Sequence, residues 1–152
     1  MPDIRHRIGV EAPIEEVYRG VATRDGLSGW WTRDVTGESE VGSTLAFSFG
    51  GPEPAAIMEV TELTPPRRVR WLCAEGPDEW KGTTLAYELK EEDGQTIVLF
   101  THAGWHQPSE FLHHCSTRWA YFLMSLRAGL GGGKATPWPE DEQIDNWGSA
   151  GG

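Results

Sequence analysis

The chain opens on a strict alternation: Ile4, His6, Ile8 and Val10 fall on one side, Arg5, Arg7 and Glu11 on the other. Period two is the mark of a half-buried strand. Ala12-Pro13 then starts a helix, with proline in the first turn, where a missing N–H costs nothing, and Glu15 and Glu16 at the positive end of the dipole. Ile14, Val17, Tyr18 and Val21 make its apolar stripe; Asp25-Gly26 breaks it, and residues 27–31 form a second short helix or turn ending in Trp30-Trp31. Period two then returns. Leu45, Phe47 and Phe49 alternate, residues 57–63 run up to Pro65-Pro66, and Val69, Trp71 and Cys73 oppose Arg68 and Arg70. Thr83, Leu85, Tyr87 and Leu89 lead into a Glu91-to-Gly94 hairpin, and Thr96, Val98, Phe100 and His102 return from it. Short strands joined by tight turns predict an antiparallel sheet.

Residues 108–130 change period. At about 100° per residue, Phe111, Cys115, Trp119, Phe122 and Leu126 cluster on one side, with His113, His114, Thr117, Arg118 and Tyr121 on the opposite arc. Such a helix is roughly 34 Å long, and Gly131-Gly132-Gly133 ends it. The sequence therefore predicts an α+β domain over residues 1–134, with six or seven strands in one curved antiparallel sheet, two short helices after the first strand and one long C-terminal helix. Residues 135–152 read as an acidic, Pro-rich tail, extended and partly mobile, which Trp138, Ile144 and Trp147 could dock.

A strongly twisted sheet curls, and one helix does not fill its concave side. The residual space would be a ligand cavity lined from the strands by Ile8, Phe47, Met58, Val60, Trp71, Leu85, Tyr87, Val98, Phe100 and His102. The helix would add Phe111, Cys115, Trp119 and Phe122. The same side chains could instead pack to native density and leave no void. Trp31, Trp80 and Trp105 would stand at the cavity rim, or cap the ends of the core.

Composition narrows the partners. Thirteen basic against 23 acidic side chains give a net charge of −10, which argues against nucleic acid or an anionic membrane. No stretch approaches the roughly 18 apolar residues of a spanning helix, and no basic-then-apolar leader opens the chain, so a cytoplasmic protein is expected, with Cys73 and Cys115 as reduced thiols. Eight tryptophans imply a very aromatic core or an aromatic cavity.

Candidate chemistry is sparse. His6 and His102 interrupt apolar alternation and point inward, where either could be a general base or a core histidine bonded to a neighbour. Tyr87, on the same face, could orient a ligand carbonyl or simply fill the core. His102, His106, His113, His114 and Cys115 do not converge as zinc ligands must, so no metal and no cofactor is expected. Glu91-Glu92-Asp93 and Glu140-Asp141-Glu142 read as a solvated hairpin tip and tail. Ile97 and Leu99 are the only outward apolar hint of a protein partner, and a monomer or weak dimer is expected.

Several segments in order carry a resemblance: Ile8-Gly-Val-Glu-Ala-Pro13, the Trp30-Trp31 pair, and the run from Met58 through Pro65-Pro66-Arg67-Arg68 to Trp71. Glu79-Trp80, Thr101-His-Ala-Gly-Trp105, Cys115-Ser-Thr-Arg-Trp119 and Thr136-Pro-Trp-Pro-Glu-Asp141 follow. Together they resemble the START-like helix-grip (SRPBCC) superfamily, and within it the activators of the heat-shock chaperone ATPase and polyketide-cyclase-like proteins. The resemblance implies a helix-grip fold and a small hydrophobic or amphipathic ligand, such as a lipid or polyketide, held between sheet and helix. Its alternatives are an enzyme of the cyclase, dehydratase or hydrolase type using a cavity histidine, and a co-chaperone-like module.

Overall fold

A computed structural model describes residues 1–147. Seven strands form one antiparallel sheet: β1 (Ile4–Val10), β2 (Asp34–Gly37), β3 (Thr44–Ser48), β4 (Ala56–Thr64), β5 (Arg68–Glu75), β6 (Thr84–Glu92) and β7 (Gln95–Ala103). Their spatial order is β1-β7-β6-β5-β4-β3-β2. The first strand thus closes one edge against the last, with His6 opposite Phe100 and Ile8 opposite Val98. Register shifts between Ile57 and Met58 and between Val60 and Glu62 bend β4, since an extra residue on one strand locally increases twist.

Between β1 and β2 run α1 (Ile14–Ala22) and α2 (Arg24–Ser28). The break between them falls at Thr23, not at Asp25-Gly26. The Thr23 hydroxyl accepts from the Gly26 amide at 2.9 Å, so Asp25 and Gly26 lie inside the first turn of α2 instead of ending α1. The long helix, α3 (Glu110–Leu130), is capped by the Ser109 hydroxyl, which accepts from Leu112 N at 3.4 Å.

Both faces of α3 are covered. Cys115, Trp119, Phe122, Leu123 and Leu126 meet the core, while His114 and Arg118, expected on a solvated arc, are also buried. The cause is the tail. Residues 135–147 fold back along the helix. Arg118 meets Asp141 at 2.8 Å with both side chains 3% exposed, His114 Nδ1 meets Asp145 at 2.6 Å, and the Trp147 ring lies 4.7 Å from that of His114. Ile97 is buried as well, so it offers no outward patch. Among the described residues, no helix is long and apolar enough to cross a membrane.

Candidate functional site

The concave side of the sheet and the core face of α3 enclose the candidate site. Alternation along the strands sends Phe47, Met58, Val60, Trp71, Leu85, Tyr87, Val98, Phe100 and His102 inward, and all are at most 1% exposed. They meet Cys115, Trp119 and Phe122 of α3. Two of the expected lining residues sit elsewhere. Ile8 is only partly buried, and Phe111, in the first turn of α3, stacks on Trp147 and His114 at the helix end.

In this conformation the interior is occupied by its own rings. Trp31 lies 4.3 Å from Phe47 and 4.8 Å from Trp119, ring to ring, and Trp119 lies 4.6 Å from Phe100. Tyr87 in turn lies 5.2 Å from Phe100. Trp31 is therefore the centre of the aromatic cluster and not part of a rim: it fills space that the sheet and α3 leave between them. Trp80 and Trp105, at 2% and 0% exposure, are closed over as well, with their rings against His102 at 5.0 and 5.1 Å. Two larger hollows open outside the grip. One of about 750 Å³ lies at the acidic hairpin around Glu91 and Asp93. The other, about 730 Å³, lies between α1, α2 and the C-terminal end of α3, where Trp30, Leu126 and Leu130 line it.

His102 is fully engaged. Its Nδ1 accepts from the Trp119 indole N–H at 3.2 Å, which places the ring proton on Nε2, 2.8 Å from the Thr83 hydroxyl. Thr83 donates onward to the Trp80 carbonyl. Every donor in this chain has an acceptor, and protonating Nδ1 would set two donors face to face. Burial is the main cause that lowers its pKa to about 3, opposed weakly by Asp3. No ring nitrogen of His102 is left to take a proton from a ligand. His6 is separate, at the seam of β1 and α3, where its Nε2 donates to the Ser116 carbonyl at 3.1 Å.

The interior does hold polar groups with nothing to bond. Among the described residues, the Tyr87 hydroxyl and the indole Nε1 atoms of Trp71 and Trp105 are buried without a hydrogen-bond partner; the Tyr87 and Trp71 rings stand 5.3 Å apart, edge to face. Desolvation drives the Tyr87 pKa well above the usual phenol value, so its hydroxyl is a donor at any physiological pH. The Tyr87 hydroxyl and Trp71 Nε1 are thus both unmet donors within an aromatic interior. The two thiols are inert by contrast: burial raises Cys73 to about 11 and Cys115 to about 12. Among the described residues, no group of three or more His, Cys, Asp or Glu side chains is placed to hold a metal ion.

The alternation in the sequence placed Tyr87, Trp71 and His102 on the inward face, and the structure buries all three there. Sequence reasoning missed Thr83, which accepts a hydrogen bond from His102 Nε2 and donates one on to the Trp80 carbonyl, and the polar ladder on the back of α3. That ladder had a signal: His114, Arg118, Tyr121 and Ser125 recur at four- and three-residue steps, so they share one helix face, opposite an acidic tail.

Comparison with known proteins agrees with this fold. The solution structure of the Aha1 dimer from Colwellia psychrerythraea is 42% identical, with a TM-score of 0.80 over 89% of this chain and 100% of that one. The Staphylococcus saprophyticus protein SSP2350 is 18% identical (TM-score 0.72, 88% of this chain and 95% of that one). CalU16 from Micromonospora echinospora is 24% identical (TM-score 0.65, 91% and 76%); these two share the fold. Among curated proteins, none matches the chain. The description "Activator of Hsp90 ATPase homolog 1-like protein" matches residues 11–131. With the helix-grip architecture around it, the chain belongs to that family of the START-like superfamily.

Proposed function

We propose that this protein binds a small hydrophobic or amphipathic molecule in the interior between sheet and α3. The observation that carries the reading is the pair of unmet donors, the Tyr87 hydroxyl and Trp71 Nε1, in an otherwise apolar space. Leaving a buried donor unbonded costs about 1–3 kcal/mol, a cost that an acceptor on a ligand would remove. The Tyr87 hydroxyl is not needed for packing, because phenylalanine there would fill similar space without the penalty.

The ligand would carry an apolar body and at least one oxygen or nitrogen acceptor. A base-catalysed reaction at His102 is disfavoured by the saturation of both its ring nitrogens, so binding is preferred over turnover. The Colwellia relative is described as a dimer, and at 42% identity it supports weak self-association here too. The exposed large hydrophobics among the described residues are Met1, Val41, Met124 and Trp147. A cytoplasmic location is part of this proposal, supported by the two cysteines that are free and buried.

Native mass spectrometry of protein purified from its own host, followed by titration of the recovered molecule into wild type and Tyr87→Phe, tests the reading. A bound small molecule that loses affinity about tenfold in Tyr87→Phe supports it. Protein that carries nothing, and takes up no apolar compound at millimolar concentration, refutes it.

A further inference from the structure

Trp31 reaches the centre of the grip from the turn between α2 and β2, not from the sheet or from α3. Five aromatic rings surround its indole. Phe47 and Trp119 are nearest, and Trp71 lies parallel to it within 11° at 6.4 Å. The Trp71 ring in turn touches Tyr87, so the two unmet donors begin one ring beyond Trp31. The indole sits where a flat ligand would sit.

What holds the backbone of Trp31 is the tail. Its amide bonds back to Leu27 O at 3.1 Å, but its carbonyl accepts from Trp138 N at 2.9 Å, and the Arg33 amide returns to Trp138 O at 3.1 Å. Residues 31–33 and Trp138 thus pair like a short parallel ladder. Around it Arg33 pairs with Glu140, and the Trp138 ring packs against Phe49 at 6.3 Å. The neighbouring Trp30 has a different anchor, its Nε1 donating to Gly20 O at 2.8 Å. The tail is tied down further along by Asp141 and Asp145, through largely charged contacts, and it joins α3 by three successive glycines. Residues 135–147 lie wholly beyond the segment the family description matches.

Resting on the ligand-binding reading above, we propose that the Trp31 indole is a plug held in the ligand's place by the 135–147 strap. Release of the strap lets a flat, apolar, acceptor-bearing molecule of about bicyclic size displace it. Trp31 serves as an internal stand-in: the space it vacates is planar, walled by aromatic faces, and adjacent to two donors. Apparent affinity is then reduced by the fraction of molecules in which the strap is released. Anything that detaches the strap, without touching the interior, tightens binding.

The test uses 2-acetylnaphthalene, a bicycle with one ketone, and its hydrocarbon isostere 2-isopropenylnaphthalene, on the full chain. In Trp138→Ala, amide exchange at residues 31–33 rises and the ketone binds at least about tenfold tighter than to wild type. The hydrocarbon binds about tenfold more weakly than the ketone, and Tyr87→Phe erases most of that gap. Trp31→Ala, where it folds, takes up the ketone without any need of strap release and is thermally stabilised by it. Exchange unchanged in Trp138→Ala, with the ketone bound equally by both proteins, overturns the latch and leaves ligand binding standing. Exchange raised but no uptake of either probe by any variant overturns the ligand reading, and the plug with it.

Discussion

The indole N–H of Trp119 donates to Nδ1 of His102 at 3.2 Å, joining α3 to β7 in the dry interior. This bond requires a neutral imidazole, and it makes His102 one source of pH dependence in the fold. Above pH 6.5 the ring is neutral in folded and unfolded chains alike, so His102 adds no pH dependence there. Below 6.5 the unfolded chain takes up a proton that the folded one refuses until about pH 3. Stability from this group is therefore lost steadily as pH falls between those values, by up to roughly 5 kcal/mol if nothing else unfolds the chain first. His102→Gln retains an acceptor for Trp119 and a donor for Thr83 but does not titrate. It should be about 1–2 kcal/mol less stable at pH 7 through lost packing, with a flatter profile from pH 6.5 downward. Urea unfolding at half-unit pH intervals measures both; parallel profiles for the two proteins would contradict the argument.

Asp141 and Arg118 test the strap energetically. Both side chains are 3% exposed and 2.8 Å apart, and the guanidinium also lies over the Phe122 ring at 4.7 Å. Removing the carboxylate charge with Asp141→Asn leaves a buried cation undercompensated, a loss of about 3 kcal/mol in comparable pairs. Here the strap can lift and let water reach Arg118, so the loss in global stability is capped by the docking free energy of the strap. The expected result is a decrease of about 2 kcal/mol, together with faster amide exchange confined to residues 136–147. Arg118→Met with Asp141→Leu, which packs apolar groups in the same space, should recover most of it.

These two cases show which parts of the molecule were legible in the sequence. Period-two segments gave six of the seven strands because each buries one face. Strand β2 (Asp34–Gly37), short and at the edge, has Val35 alone to mark it. The inward positions of Tyr87 and His102 followed from the same alternation. The filling of the interior by Trp31 did not, since a residue in a turn has no periodicity to show which way it points. His114 and Arg118 read as solvated because amphipathic analysis assumes a helix with one covered face, and here an extended segment with no pattern of its own covers the other. The ion pair that buries Arg118 spans 23 residues, with no local cue to pair it.

Tyr87→Phe separates packing from recognition. The hydroxyl is wholly buried with no partner among the described residues, so deleting it removes a desolvation penalty and little else. The unliganded variant should be more stable than wild type by about 1 kcal/mol, seen as a raised urea midpoint with an unchanged slope. A loss of stability instead would mean that the hydroxyl is bonded in solution, and the donor pair would lose its standing as a ligand site.

Gly50 offers a test of strap docking that leaves every charge in place. Its φ is +87°, and a Cβ built there would stand 2.8 Å from Cζ2 of Trp138. Alanine at that position thus meets two costs, the left-handed backbone and a collision with the ring of Trp138, whose backbone N–H bonds to the Trp31 carbonyl. Gly42 separates them: its φ is +91°, nearly the same, yet a Cβ there meets nothing within 4 Å. Gly42→Ala should lose about 1–2 kcal/mol from backbone strain alone. Gly50→Ala should lose that amount plus whatever the displaced Trp138 contributes, about 1 kcal/mol more. It alone should speed exchange of the Arg33 amide, whose acceptor is the Trp138 carbonyl. Equal losses in the two variants, with Arg33 equally protected in both, would show that the ring merely rests on the sheet edge. Unequal losses with Arg33 exposed would place Trp138 as the clasp through which the tail controls the turn that carries Trp31.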